Sequence, residues 1–124
     1  VSRPKFDPVE ALELITSAGG IGIIAHPRTV KNIESILKLL SDAGLAGIEV
    51  YAEKYGPEQH EFYASLANNY NLIPCGGTDY HNFGIENESV PGITGPPPDT
   101  AKKLYERALQ IHNGNPGFRP KRPF

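Results

Sequence analysis

Residues 19–27 read GGIGIIAHP, and the fold turns on how that run is taken. Two glycines stop whatever precedes them, Ile21-Gly22-Ile23-Ile24-Ala25 is short, apolar and β-branched, and a His-Pro step ends it. A brief apolar run bounded by turn signals suits a strand covered on both faces, the parallel-sheet type. Two further runs have the same character: GIEVY at 47–51 and NLIPCG at 71–76, the second carrying Pro74, which removes a ladder hydrogen bond.

Helical periodicity fills the intervals. Asp7, Pro8 and Glu10 form a start signal of capping-box type, and Val9, Leu12, Ile15 and Thr16 recur at helical spacing, which predicts a helix over 8–18. VKNIESILKLLSDAG (30–44) puts Ile33, Ile36, Leu37 and Leu40 on one face and stops at Gly44. PEQHEFYASLANNY (57–70) opens on proline and spaces Phe62, Leu66 and Ala67 helically, and DTAKKLYERALQIHNG (99–114) takes Asp99 as cap and Gly114 as stop. The order is α-β-α-β-α-β, a long loop, then α. Such alternation means parallel strands joined by crossovers in an α/β fold. Three strands make a very small open sheet or part of a barrel. The loop 82–98, with GITGPPP, exceeds the usual connection length and reads as either a functional or a partly mobile loop. The last residues, GFRPKRPF, read as a Pro-rich basic tail, extended or disordered.

Bulk properties narrow the function classes. The 124 residues, 39% hydrophobic and 21% charged, are enough for one modest core. A formal net charge of −2 gives no bulk attraction for nucleic acid. The single cysteine, Cys75, excludes an internal disulfide framework and reads as a small buried hydrophobe rather than a nucleophile. No apolar run reaches the roughly 18 residues of a membrane span, and no leader pattern opens the sequence, so a cytoplasmic protein with no membrane partner is expected.

Ligands in parallel α/β folds gather at the carboxyl ends of the strands, and each strand end here carries an ionisable group. His26 follows the first strand, Glu49 and Tyr51 lie on the second, and Asp79 and His81 follow the third, in CGGTDYHNF (75–83). On an extended backbone, period-two alternation would point Asp79 and His81 the same way. A carboxylate and an imidazole converging on one spot are ligands for Zn²⁺, Mn²⁺ or Fe²⁺. The competing reading of a bare D-x-H is an Asx turn beside a surface histidine. His26, held out of the helical region by Pro27, is by itself equally consistent with a satisfied strand-end histidine. Glu49, between Ile48 and Val50, sets a carboxylate in an apolar strand, where burial demands a partner. It reads as a group holding a histidine or as a hydrogen-bonded structural residue, ahead of direct ligation. Arg28, two residues past His26, is placed to meet an anionic group, although the reading as a plain surface arginine stands slightly ahead. His60 reads as solvent-facing, and His112 as a histidine explained by the helix dipole.

GGIGIIAHP, GIEVY and CGGTDYH, in that order and spacing, resemble the C-terminal part of the PHP (polymerase and histidinol phosphatase) domain family, closest to its stand-alone metal-dependent phosphoesterase branch. The resemblance covers roughly residues 8–113. It implies about half of a distorted (β/α)7 barrel, with residues 1–116 as the C-terminal portion of the domain and 117–124 as tail. It also implies His26, Asp79 and His81 as metal ligands, with Glu49 behind them, in a cluster of two or three divalent ions (Zn, Mn or Fe) in the complete domain. The implied reaction is hydrolysis of phosphate esters, such as nucleotides or oligonucleotide ends, by a metal-activated water. The family opens on an H-x-H motif, and none of the four histidines here forms one. The expectation is therefore a hydrolase whose activity belongs to a longer protein, with this chain alone inactive; Asn82 also stands where the family often has glycine. The alternative is a non-catalytic metal-binding or interaction module of the same fold. Unpaired strand edges lead to a further expectation, that the chain forms a homodimer or rearranges its ends to cover those edges.

Overall fold

A computed structural model describes residues 6–84, 86–115 and 117–118. Its elements run α1 (Pro8–Ser17), β1 (Ile23–Ile24), a 3-10 turn (Pro27–Thr29), α2 (Ile33–Asp42), β2 (Gly47–Ala52), α3 (Pro57–Asn69), β3 (Ile73–Gly77) and α4 (Thr100–Ile111). The fold is α/β, with three parallel strands in the order β1-β2-β3. Pro74 falls on β3, an edge strand among the described residues, where a missing N–H costs least. From residue 119 on, the basic tail lies outside the described residues.

Local chemistry explains most boundaries. Asp7 Oδ1 accepts the backbone N–H groups of Val9 (2.9 Å) and Glu10 (3.3 Å), two donors that the first turn of α1 leaves without partners. Gly19 ends that helix with φ +86, a conformation that favours glycine, and Gly44 ends α2 with φ +97. Asp99 departs from its expected role. It makes no cap hydrogen bond and instead pairs with Lys103 one turn on, at 2.7 Å.

The core joins Leu12 of α1, Leu37 and Leu40 of α2, Ile48 and Val50 of β2, and Tyr63, Leu66 and Ala67 of α3. Tyr63, not Phe62, is the aromatic buried on α3; Phe62 stays 46% exposed. Ile48 and Val50 are fully buried while Glu49 and Tyr51 are half-buried, the alternation expected of a strand whose two faces differ. α3 packs on β2 and β3, and α4 on β3.

β1 is shorter than the apolar run 21–25. The N–H of His26 leaves the ladder for the Glu49 carboxylate at 2.8 Å, and His26 turns left-handed with φ +50. A second irregularity sits between β2 and β3. Glu49 pairs with Cys75 and Tyr51 with Gly76, so Val50 is an extra residue bulged on β2. The bulge presses the Tyr51 carbonyl onto Gly76, where a Cβ would overlap that backbone, whereas a Cβ on Gly77 meets nothing within 4 Å. Gly76→Ala is therefore expected to destabilise the chain by about 3 kcal/mol, at the upper end for overpacking, because the obstacle is backbone. Gly77→Ala should lie within about 0.5 kcal/mol of wild type, as substitutions without new contacts do. Urea unfolding of the two variants separates them; equal midpoints would contradict the bulge.

Candidate metal centre

Two bends deliver the site. After β1, His26 takes φ +50 and Pro27 begins the 3-10 turn; after β3, Asp79 takes φ +56. Three asparagines share the left-handed region, as asparagines in turns commonly do. His26 and Asp79 are the two other non-glycine residues there among those described, and such positions cost on the order of 1–3 kcal/mol each unless their surroundings hold them.

Those surroundings are specific. Glu49 Oε2 accepts the His26 backbone N–H at 2.8 Å and the Tyr55 hydroxyl at 3.3 Å, and lies 3.6 Å from His26 Nδ1. The opposite nitrogen, His26 Nε2, faces Asp79 Oδ1 at 3.6 Å. His81 approaches the same oxygen, with Nε2 at 4.0 Å, while its Nδ1 meets the Asp79 backbone carbonyl. A carbonyl oxygen can only accept, so the neutral His81 ring carries its proton on Nδ1 and keeps the Nε2 lone pair free. Two imidazoles thus turn their Nε2 atoms toward one carboxylate oxygen.

The left-handed turn at Asp79, rather than strand alternation, aims this pair. β3 ends at Gly77, so the backbone is no longer extended where Asp79 and His81 sit.

Arg28 lines the same small cleft as His26, Glu49, Tyr55 and Asp79, with its guanidinium 5.8 Å from the centre of the Tyr55 ring. Lys54 adds a second cation to that lining. Burial first, and the neighbouring Glu49 charge second, push the Tyr55 hydroxyl up to about 12. Burial also raises the Cys75 thiol to about 11, which fits a packed thiol rather than a nucleophile.

Two histidines lie elsewhere; His60 departs from its expected environment, and His112 sits at the expected helix end but has a further partner. His60 is half-buried, not solvent-facing: its Nε2 sits 3.3 Å from the Ala52 carbonyl, between the Tyr51 and Tyr55 rings. His112 is buried at the end of α4, with Nε2 2.9 Å from the Gly20 carbonyl and its ring on Phe118. It ties the end of α4 to the glycine stop after α1, a tertiary role that the dipole reading lacks.

Two groups at the site escape the motif reading. Tyr55, just outside GIEVY, hydrogen-bonds Glu49, and Glu88, in the long loop, accepts the His81 backbone N–H at 2.8 Å. Tyr55 could have been suspected from its closeness to a buried carboxylate; nothing in the spacing singles out Glu88.

The donors are of the right kind for a divalent ion. Two ligands on one ion, each at about 2.1 Å, stand no more than about 4.2 Å apart, and the two Nε2–Oδ1 separations of 3.6 and 4.0 Å fall inside that reach. The number of donors is smaller than a closed sphere needs. Among the described residues, no group of three or more His, Cys, Asp or Glu side chains is arranged closely enough to hold a metal ion as it stands.

Comparison with known proteins finds similarity to phosphoesterases and to an amidohydrolase. No protein-family model matches the chain. It is 34% identical over 79 residues to a phosphoribosyl 1,2-cyclic phosphate 1,2-diphosphodiesterase of Eggerthella lenta, a match over 63% of this chain and 30% of the relative. Its fold is similar to that of a protein from Bifidobacterium adolescentis assigned as a metal-dependent phosphoesterase, with a TM-score of 0.72, 25% identity, and coverage of 86% of this chain and 38% of that one. It is likewise similar to an amidohydrolase from Chromobacterium violaceum solved with bound sulfate and no metal, with a TM-score of 0.68 and 27% identity, over 86% of this chain and 39% of that one. The chain thus spans about a third of the length of each of these proteins. No helix among the described residues is long and apolar enough to cross a membrane.

The Tyr55 hydroxyl supplies a test of the site's packing. Its folded value of about 12 exceeds the ordinary 10, so the folded state holds this proton more tightly than the unfolded state. The resulting stability is fully present below pH 10 and is lost as pH rises through about 12. Denaturation midpoints of wild type and Tyr55→Phe measured across that interval should converge as pH rises. A constant difference between them would show that Tyr55 is not held by burial and Glu49.

Proposed function

We propose that this chain is the C-terminal portion of a PHP-type metal-dependent phosphoesterase and that His26, Asp79 and His81 are donors to its divalent metal centre. The observation that carries this reading is the pairing of two imidazole Nε2 atoms on one carboxylate oxygen, with each Nδ1 facing an acceptor. That is how metal-ligating histidines are oriented from behind. Support comes also from the kinds of protein that the chain resembles, a phosphodiesterase and a metal-dependent phosphoesterase.

In this reading His26 and His81 present lone pairs, Asp79 supplies negative charge between them, and Glu49 fixes His26 through its backbone. Arg28 meets a substrate phosphate, with its guanidinium steadied on Tyr55. A bound divalent ion supplies Lewis acidity toward a phosphoryl oxygen and toward water. The substrates are phosphate esters, either phosphorylated small molecules or nucleic-acid ends. Three donors are too few for a multinuclear centre, so further ligands belong to a longer chain and the 124 residues alone are inactive.

Calorimetric titration of this chain with Zn²⁺ or Mn²⁺ tests the donor set. Weak but measurable binding is expected, reduced more than about 100-fold in Asp79→Ala, because losing a donor should exceed the 10–100-fold cost of losing an outer partner. Binding that ignores both Asp79→Ala and His26→Ala would overturn the assignment. Hydrolysis of bis(p-nitrophenyl) phosphate should be absent from the isolated chain; metal-dependent turnover abolished by His81→Ala would show that the fragment suffices.

A further inference from the structure

The two site histidines are held in the same way. His26 donates its backbone N–H to Glu49 Oε2 at 2.8 Å, and that oxygen stands 3.6 Å from His26 Nδ1. His81 donates its backbone N–H to Glu88 Oε1, also at 2.8 Å, and that oxygen stands 3.9 Å from His81 Nδ1. In both pairs the imidazole is the exposed partner and the carboxylate the sheltered one: 46% against 13% exposed for His26 and Glu49, 65% against 16% for His81 and Glu88.

We propose that Glu88 is the positioning residue of His81, docking the long loop 82–98 onto the site and fixing the ring so that Nε2 faces Asp79. Glu88 lies on the Nδ1 side of the imidazole, away from Asp79 Oδ1, so it acts through His81 rather than as a donor beside it. Its bond to the His81 N–H fixes the peptide that follows Tyr80. The turn around Asp79, left-handed at φ +56, is then clamped at both ends: by Glu88 on the His81 N–H, and by the His81 ring on the Asp79 carbonyl. Without Glu88 the His81 N–H loses its acceptor, the peptide is free to rotate, and the ring no longer has a fixed face toward the cleft. The bearing of Glu88 on metal affinity rests on the reading of His81 as a donor; its hold on the His81 ring and peptide does not.

The test separates those two statements. In the metal-free, ¹⁵N-labelled chain, the wild-type His81 ring should show the tautomer protonated on Nδ1, and the His81 amide should exchange slowly with solvent. Glu88→Ala should shift the ring toward a mixture of tautomers and speed amide exchange at least tenfold. Glu88→Gln, which keeps an acceptor oxygen at the same reach, should preserve both signatures. Glu88→Asp, charged but one methylene shorter, should behave like Glu88→Ala and serves if the alanine variant does not fold. Ring signals and amide exchange unchanged in Glu88→Ala and Glu88→Asp would overturn the proposal. Zn²⁺ affinity is read in parallel and should fall about 10–100-fold in Glu88→Ala, with recovery in Glu88→Gln. If wild type takes up no ion, the metal assignment fails while the ring and amide signals still decide the role of Glu88.

Discussion

Glu49 is a carboxylate on a strand whose neighbours, Ile48 and Val50, are fully buried, and such a group needs hydrogen-bond donors. One of its oxygens receives the His26 N–H from the end of β1 and the Tyr55 hydroxyl from the segment before α3. The first bond removes an N–H from the ladder, so β1 stops and the chain bends into the Pro27 turn. The second brings Tyr55 under Arg28. A single charged side chain on the central strand thus decides where the neighbouring strand ends, which way a histidine faces, and what supports the arginine of the cleft.

The same physics recurs across the cleft. His81 and Glu88 repeat the arrangement of His26 and Glu49 with a residue drawn from the long loop instead of a strand. Using the backbone N–H as the handle has a consequence for rigidity. It fixes the peptide plane, and thereby the direction of the Cα–Cβ bond, without occupying either ring nitrogen. The left-handed conformations of His26 and Asp79 are costly in isolation, and these bonds offset that cost. In the proposed metal reading the donor atoms are consequently directed before any ion arrives, which is how a site reduces the ordering that binding would otherwise require.

The sheet holds three parallel strands with candidate groups at the carboxyl ends of all of them, the end at which α/β folds gather their ligands. This chain covers only 30–39% of the relative and the solved structures that it resembles. Among the described residues the core already runs continuously from Leu12 through Ile48 and Val50 to Leu66. The proposed metal centre differs, because coordination depends on how many donors converge on one point. A sheet tolerates being small in a way that a coordination sphere does not.

The sequence by itself determined the alternation of helices and strands, since the period of the apolar residues changes from helical to strand-like and back, with glycines at the joints. It also pointed to His26, Glu49, Asp79 and His81, because polar groups at the ends of apolar strands have few structural reasons to be there. Only the tertiary structure decided how these groups face one another. Strand alternation cannot describe a site whose histidine and aspartate leave the extended region, and a bulge at Val50 is invisible in GIEVY because it arises from pairing with β3. The demand for glycine at 76 belongs to that pairing too. The partners of His60, His112 and Glu88 are not legible in the sequence for the same reason: Ala52, Gly20 and His81 come from other segments of the chain. Local spacing records what a residue's own backbone does, and a side chain's role in a site is set by whichever distant backbone arrives beside it.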